Sequence, residues 1–237
     1  MSKVEVILVD VGNSSIKTTE VSNGEFSPTK KFSEFSDLLE NYTKYPMIIS
    51  SVRKLPFFIE ERSNTILLNY ETPLPIALNY STPVTLGADR IAAVVGANEI
   101  FPDKDNLVID LGTCMTIDLI DSAGTFQGGI ISPGLRMRMK SMSHYTDQLP
   151  DISEEFIELS SGVIGKSTKE CLYSGSFWSI IHEINGVIRT LEEDFTSLNM
   201  ILTGGDAHFF ESKLKAHIFA GSKIVQKGLY RIWKYQQ

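Results

Sequence analysis

Apolar and polar positions along this chain change period several times, and each change marks an element. Residues 4–12, VEVILVDVG, form an apolar run that ends at Asp10, one further apolar residue and Gly12. A short apolar run closed by a turn signal predicts a buried strand. SSIKTTEV (14–21) predicts a second strand, ended by the hairpin signal Asn23-Gly24, and Glu25–Lys31 predicts a third. The design then returns. NLVIDLGT (106–113) ends in Asp110, Leu111 and Gly112; MTIDLID (115–121) predicts the next strand; Ala123-Gly124 supplies the turn; Thr125–Ser132 predicts the third strand. Asp110 stands 100 residues after Asp10, and in both copies the turn glycine follows its aspartate by 14 residues. Later apolar runs, PMIISSV (46–52) and NMILTGG (199–205), predict one more buried strand in each copy. Helical spacing predicts helices over Ala88–Ile100, Pro133–Tyr145 and 164–193, the last carrying Tyr173, Phe177, Ile180, Ile184, Val187, Ile188 and Leu191 on one face.

The repeat predicts an α/β protein of two similar halves, 1–105 and 106–237, each opening with a three-stranded meander. With 237 residues the chain can bury a proper core. Its net charge of −7 argues against a nucleic-acid-backbone binder, which needs clustered cations. The longest wholly apolar run, Ile91–Val95, is far too short to cross a membrane. Glu5 and Asp10 interrupt any leader core, and the two cysteines, Cys114 and Cys171, are expected to be free thiols, so a cytoplasmic location is expected.

Each half presents a carboxylate and a glycine turn at a strand end. The acid can hold a cation, and turn N–H groups suit phosphate oxygens. Asn13, Ser14, Ser15 and Lys17 add donors to the first loop, Thr113 and Thr116 to the second. Two such loops facing across a cleft would grip a polyphosphate and its Mg²⁺. LTGGDAHFF (202–210) reads either as a plain helix-start turn with Asp206 near the N-terminus or as a bare surface for a flat ring. GGIISPG (128–134) reads either as a strand end before a Pro-initiated helix or as a point of close approach. In Gly87-Ala88-Asp89-Arg90, Asp89 is either an N-cap or a carboxylate aimed into the cleft, with Arg90 holding an anionic substrate. SSGVIGKS (160–167) fails as a P-loop, because Ser160 replaces the first glycine and no buried strand precedes it. The four histidines show no ligand spacing.

Together DVGNSSIK (10–17), TLGADR (85–90), DLGTCMTID (110–118), GGIISPG (128–134) and LTGGDA (202–207) make the chain resemble, over essentially its whole length, a type III pantothenate kinase. That family belongs to the acetate-kinase/sugar-kinase/Hsp70/actin superfamily. The resemblance implies two duplicated ribonuclease-H-like (actin-like ATPase) domains, each a mixed sheet with flanking helices, with a cleft between them. It implies transfer of the ATP γ-phosphoryl group to the primary hydroxyl of pantothenate, the first step of coenzyme A synthesis, by a homodimer that uses Mg²⁺ and a monovalent cation, K⁺ or NH₄⁺. By resemblance Asp10, Val11, Gly12, Asn13, Ser14, Ser15, Ile16 and Lys17 form the first phosphate loop, with Asp10 near Mg²⁺. Asp89 matches the catalytic base. Gly87, Ala88, Asp89 and Arg90 match the substrate segment, and Tyr80 and Thr168 match further substrate contacts. Asp110 matches the monovalent-cation ligand, Thr113 an ATP contact, and Gly204 and Gly205 the adenosine loop. The chain departs from the family at Cys114-Met115-Thr116, where Ala-Thr-Thr is usual, so that Met115 replaces a hydroxyl at the second loop, and Cys114 is expected to be a small buried residue. Another small-molecule kinase of the superfamily and a non-catalytic nucleotide-binding regulator are the competing functions.

Overall fold

The computed structural model describes residues 3–13, 15–157, 162–195, 197–214, 218–221 and 223–237, and for Ile218 and Ala220 the backbone alone. The chain forms two compact units. One comprises Met1–Asn106, Leu119–Gly128 and Ser222–Gln237, the other Leu107–Asp118 and Gly129–Gly221.

The N-terminal elements are β1 (Val6–Val11), β2 (Ile16–Ser22), β3 (Glu25–Phe26), β4 (Lys30–Phe32), α1 (Phe35–Tyr42), β5 (Met47–Ser51), α2 (Phe57–Glu60), β6 (Thr65–Leu67), β7 (Ala77–Leu78) and α3 (Ala88–Ile100). Their sheet runs β3-β2-β1-β5-β6, with β4 also on β2. β1 is antiparallel to β2 and parallel to β5. The third strand expected over Glu25–Lys31 is split into β3 and β4, with Pro28 between them. Proline has no N–H for the ladder. On one face of this sheet Ile7, Val9, Val11, Ile16, Met47 and Ile49 pack with Phe35, Leu38 and Tyr42. Alternation turns Val6, Leu8 and Asp10 to the opposite face.

The remaining elements are β8 (Asp105–Leu111), β9 (Cys114–Ile120), β10 (Thr125–Pro133), α4 (Leu135–His144), α5 (Thr168–Leu191), β11 (Leu198–Thr203), β12 (Ile218–Ala220) and α6 (Ile224–Tyr235). Their sheet runs β7-β10-β9-β8-β11-β12. Leaving aside the extra β7, its order repeats that of the first sheet: meander strands three, two and one, then two more. The chain is therefore a duplicated ribonuclease-H-like α/β protein of two mixed sheets with flanking helices, and β11 is the second copy's counterpart of β5.

Two helix boundaries differ from those the sequence predicts. Pro133 ends β10 rather than opening α4, which is capped by Gly134. α5 begins at Thr168 because Ser167 caps it. The Ser167 side chain accepts the Glu170 N–H at 3.3 Å, and Glu170 Oε2 accepts the Lys166 N–H at 2.7 Å, a reciprocal cap. The repeat and the packing also divide the chain differently. α6, from the end of the second half, belongs to the first unit and packs on α3. A Cβ on Gly228 would strike the Ala92 carbonyl oxygen, and one on Gly96 the Ile224 carbonyl oxygen, so paired glycines let these helices approach closely.

Candidate active site

In the first unit the site is built on the end of β1 and the start of α3. Asp10 is the penultimate residue of β1, paired with Lys17 on β2 and Ser50 on β5. Lys17 Nζ lies 3.8 Å from Asp10 Oδ2. Burial pushes the Asp10 carboxyl above the ordinary aspartate range; Lys17 pulls it back down, and Asp89 pushes it further up. In the first loop the Gly12 N–H donates to the Ser15 carbonyl at 3.1 Å, and the Val11 carbonyl accepts the Val52 N–H at 3.1 Å. Asn13 is exposed there, and Ser14 lies outside the described residues. Val11 and Ile16 bury their side chains in the core and offer the loop only backbone.

Asp89 sits in the first turn of α3, whose N-cap is Gly87, so the reading of Asp89 as the cap is corrected. Its Oδ1 accepts the Arg90 N–H at 2.9 Å. A Cβ on Gly87 would meet that same oxygen, so the bare position gives the carboxylate room. Burial pushes the Asp89 carboxyl up, and the Arg90 N–H and charge pull it part of the way back. Ala88 is buried in the same turn. Arg90 is only 6% exposed, with its guanidinium carbon 5.9 Å from the Tyr80 ring centroid and 5.7 Å from that of Phe126. Aromatic faces hold a guanidinium in one plane. Phe126 is a site residue that the sequence conceals, because in TFQ it reads only as an inward strand position.

In the second unit Asp110 is the penultimate residue of β8, and Gly112 donates its N–H to the Cys114 carbonyl at 3.0 Å. This loop is clamped from two sides. The Gly134 N–H donates to the Thr113 carbonyl at 3.1 Å, and the Asp206 N–H donates to the Leu111 carbonyl at 3.0 Å. A Cβ on Gly134 would strike the Gly112 and Thr113 carbonyl oxygens. Gly204 has φ of +102°, and a Cβ there would strike the Leu111 backbone. GGIISPG is thus both a strand end and a close approach, and the partner approached is the second loop. Gly205 has open space where a side chain would stand. Asp206 does not cap with its side chain; Arg136 Nη1 holds its Oδ1 at 2.6 Å. Thr113 is exposed and Cys114 half-buried rather than buried. Met115 is fully buried, so the departure at that position is a core side chain. Thr168 stands exposed at the start of α5. Cys114 and Cys171 are free thiols.

The structure therefore gathers Asp10, Lys17, Tyr80, Asp89 and Arg90 in the first unit, and Asp110, Thr113, Gly204 and Gly205 around one clamped loop in the second. Among the described residues no group of three or more His, Cys, Asp or Glu is placed to hold a metal, and no helix is long and apolar enough to cross a membrane. His217 and residues 160–161 of the failed P-loop stretch lie outside the described residues.

Comparison with known proteins shows the family. The family model for type III pantothenate kinase matches residues 6–190. A type III pantothenate kinase of Cytophaga hutchinsonii is 41% identical over 234 residues, covering 97% of this chain and 98% of the relative. One of Phocaeicola vulgatus is 41% identical over 239 residues, covering 97% and 98%. Two solved structures share the fold. A Campylobacter jejuni chain described as a Baf family transcriptional activator has a TM-score of 0.65 at 23% identity, covering 97% of this chain and 98% of its own. Component A of the Acidaminococcus fermentans (R)-2-hydroxyglutaryl-CoA dehydratase has a TM-score of 0.53 at 13% identity, covering 99% and 100%. With a matching family model over most of its length and relatives that align with it nearly end to end, this chain belongs to the type III pantothenate kinase family.

Proposed function

We propose that phosphoryl transfer in this chain is carried by Asp89, a half-buried carboxylate at the head of α3 that shares its surroundings with Asp10 and Arg90. As a type III pantothenate kinase, the chain transfers the ATP γ-phosphoryl group to pantothenate, giving 4'-phosphopantothenate, the first step of coenzyme A synthesis. The observation that carries the residue assignment is the environment of Asp89. A carboxylate that burial has made more basic, and that bare Gly87 leaves space to stand, is suited to accept a hydroxyl proton.

Phosphoryl transfer is mostly positioning and charge neutralisation. Asp89 orients the acceptor hydroxyl and takes its proton late, as the bond to phosphorus forms. Arg90, kept planar against Tyr80 and Phe126, holds the acceptor's carboxylate, and Gly87, Ala88 and Tyr80 line its path, with Thr168 a further contact. Lys17 and the loop donors beyond Gly12, whose own N–H is bound to Ser15, receive phosphate oxygens. Asp10, buried beside a second carboxylate, fits a divalent cation, since a positive charge there relieves both the burial and the repulsion. Mg²⁺ arriving with ATP supplies that charge and neutralises the polyphosphate. In the second unit the clamped loop offers Thr113 to the nucleotide, the open surface at Gly205 and the left-handed turn at Gly204 suit the adenosine, and Asp110 holds the monovalent cation, K⁺ or NH₄⁺. The enzyme acts as a homodimer in the cytoplasm, on pantothenate and ATP rather than nucleic acid or membrane.

ADP release, coupled to a spectrophotometric readout with ATP, Mg²⁺ and pantothenate, in K⁺ and again in Na⁺, tests this reading. Turnover that needs pantothenate and K⁺ supports the acceptor, the base and the Asp110 site together. K⁺-independent turnover removes the Asp110 assignment, and turnover retained by Asp89→Asn removes the base. Light scattering of the purified chain tests the homodimer.

A further inference from the structure

Four side-chain nitrogen or oxygen atoms among the described residues are buried with no hydrogen-bond partner: Thr18 Oγ1, Ser50 Oγ, Trp178 Nε1 and Gln236 Nε2. Buried polar groups are normally paired, so each orphan asks for a partner that the chain does not supply. Thr18 is the register partner of Val9 and so faces the apolar core. Trp178 lies in the second unit, and Gln236 at the C-terminal end of α6. Ser50 differs from the other three. It is fully buried (0% exposed) and is the register partner of Asp10 in the parallel β1–β5 pair. Register partners present their side chains on the same face of a sheet, with neighbouring strands about 4.8 Å apart. The core-facing residues of these two strands are Ile7, Val9, Val11, Met47 and Ile49; Asp10 and Ser50 therefore share the other face, on which α3 with Asp89 packs. The run MIIS places a hydroxyl where the preceding three residues are apolar. Only at the level of the carboxylate does this strand change its chemistry.

We propose that Ser50 is a positioning residue for the magnesium nucleotide: its hydroxyl joins Asp10 in holding the hydrated divalent cation that accompanies ATP. Asp10 accepts hydrogen bonds and binds cations but cannot donate when ionised, whereas Ser50 can do both. A hydroxyl beside the carboxylate would give the hydrated cation a second oxygen partner and so help to position the nucleotide that carries it. This proposal rests on Asp10 being the cation-bearing carboxylate.

The test is a Mn²⁺ titration, read by electron paramagnetic resonance, of the full-length protein saturated with ADP, for wild type, Ser50→Ala, Ser50→Thr and Asp10→Asn. Thermal unfolding of the nucleotide-free proteins runs beside it. Ser50→Ala is expected to keep or raise the Tm, since it removes an unpaired buried hydroxyl, and to weaken Mn²⁺ binding about tenfold, the loss of one good hydrogen bond. In turnover assays its apparent KM for Mg²⁺ rises while the KM for pantothenate stays unchanged. Ser50→Thr keeps the hydroxyl and restores Mn²⁺ affinity. Wild-type Mn²⁺ affinity in Ser50→Ala, while Asp10→Asn loses it, overturns the role of Ser50 alone. Wild-type affinity in Asp10→Asn overturns the Asp10 reading, and this proposal with it. If the Ala variant fails to fold, Ser50→Cys, which keeps the volume but offers a poor partner for a hard cation, decides: Mn²⁺ affinity lowered about tenfold at unchanged Tm supports the proposal, and wild-type affinity refutes it.

Discussion

The two copies of the Asp-apolar-Gly turn have taken opposite physical routes. At the first, charge does the work. Asp10, Lys17 and Asp89 interact there, and Gly12 bonds to Ser15 across the turn. Nothing crowds Gly12: the nearest atom to a Cβ would be the Ser15 carbonyl oxygen at 3.7 Å. At the second, backbone does the work. Gly134 bonds to Thr113, Asp206 bonds to Leu111, and glycines at 134 and 204 are needed because side chains there would overlap the loop. A duplicated strand-turn-strand thus became a charged turn with space around its glycine in one half and a crowded, clamped one in the other. The same motif conserves strand geometry while leaving the chemistry of each turn to its neighbours.

The sharpest way to break this contrast is to remove charge at the first site. Asp89→Asn is expected to lower kcat about a thousandfold, within the range of a lost general base, while ATP binding persists. The same variant should melt at a higher temperature. A carboxyl whose folded pKa is raised binds its proton more tightly when folded, so the ionised group destabilises the fold at neutral pH, and that penalty grows as pH rises from the unfolded pKa through the folded one. The neutral amide removes the penalty and can still accept the Arg90 N–H. Lower activity together with a lower Tm would make Asp89 a structural residue.

Adding bulk sharpens the comparison from the other side. Gly204→Ala is expected to cost about 3 kcal/mol in chemical denaturation, through overlap with Leu111 and a left-handed backbone, and to raise the KM for ATP. Gly12→Ala is expected to cost under about 1 kcal/mol. Equal losses at the two positions would dissolve the distinction between clamped and open loops. Arg90→Lys keeps the charge and loses the planar fork against Tyr80 and Phe126; the KM for pantothenate should rise about tenfold with kcat less affected.

The smallest effect concerns pH. Protonated Asp89 cannot act as a base, so kcat/KM should fall on the acid side through a midpoint above the ordinary aspartate range, because burial raises that pKa. Lys17→Met removes the group that holds the Asp10 carboxyl down, so divalent-cation affinity should fall off at higher pH than in wild type. A titration curve of cation affinity that does not move would separate Lys17 from Asp10.

Much of this was legible in the chain. α3 spans Ala88–Ile100, the range its apolar spacing predicts, and the repeat announced two sheets of one order. Local patterns suffice there, because burial of one face imposes the period on every residue of an element. Boundaries set by single backbone bonds were less legible. Pro133 signalled a helix start and instead finished a strand, and Pro28 broke a strand that the meander leads one to expect. The site shows the same split. The carboxylates, the glycine loops and Arg90 stand in short motifs, so the chain marked them as candidates, while their roles came from the family resemblance.

What no short stretch of chain carries is adjacency between distant segments. Phe126 reaches Arg90 from 36 positions away, Arg136 reaches Asp206, Gly134 leans on Thr113, Ser50 shares a face with Asp10, and α6 returns to α3. Residue types and their periods settle which elements form and what chemistry they can offer, because those depend on near neighbours. Which glycine must stay bare, which aromatic steadies the arginine and which hydroxyl is left waiting depend on packing between elements, and that exists only once the chain has folded.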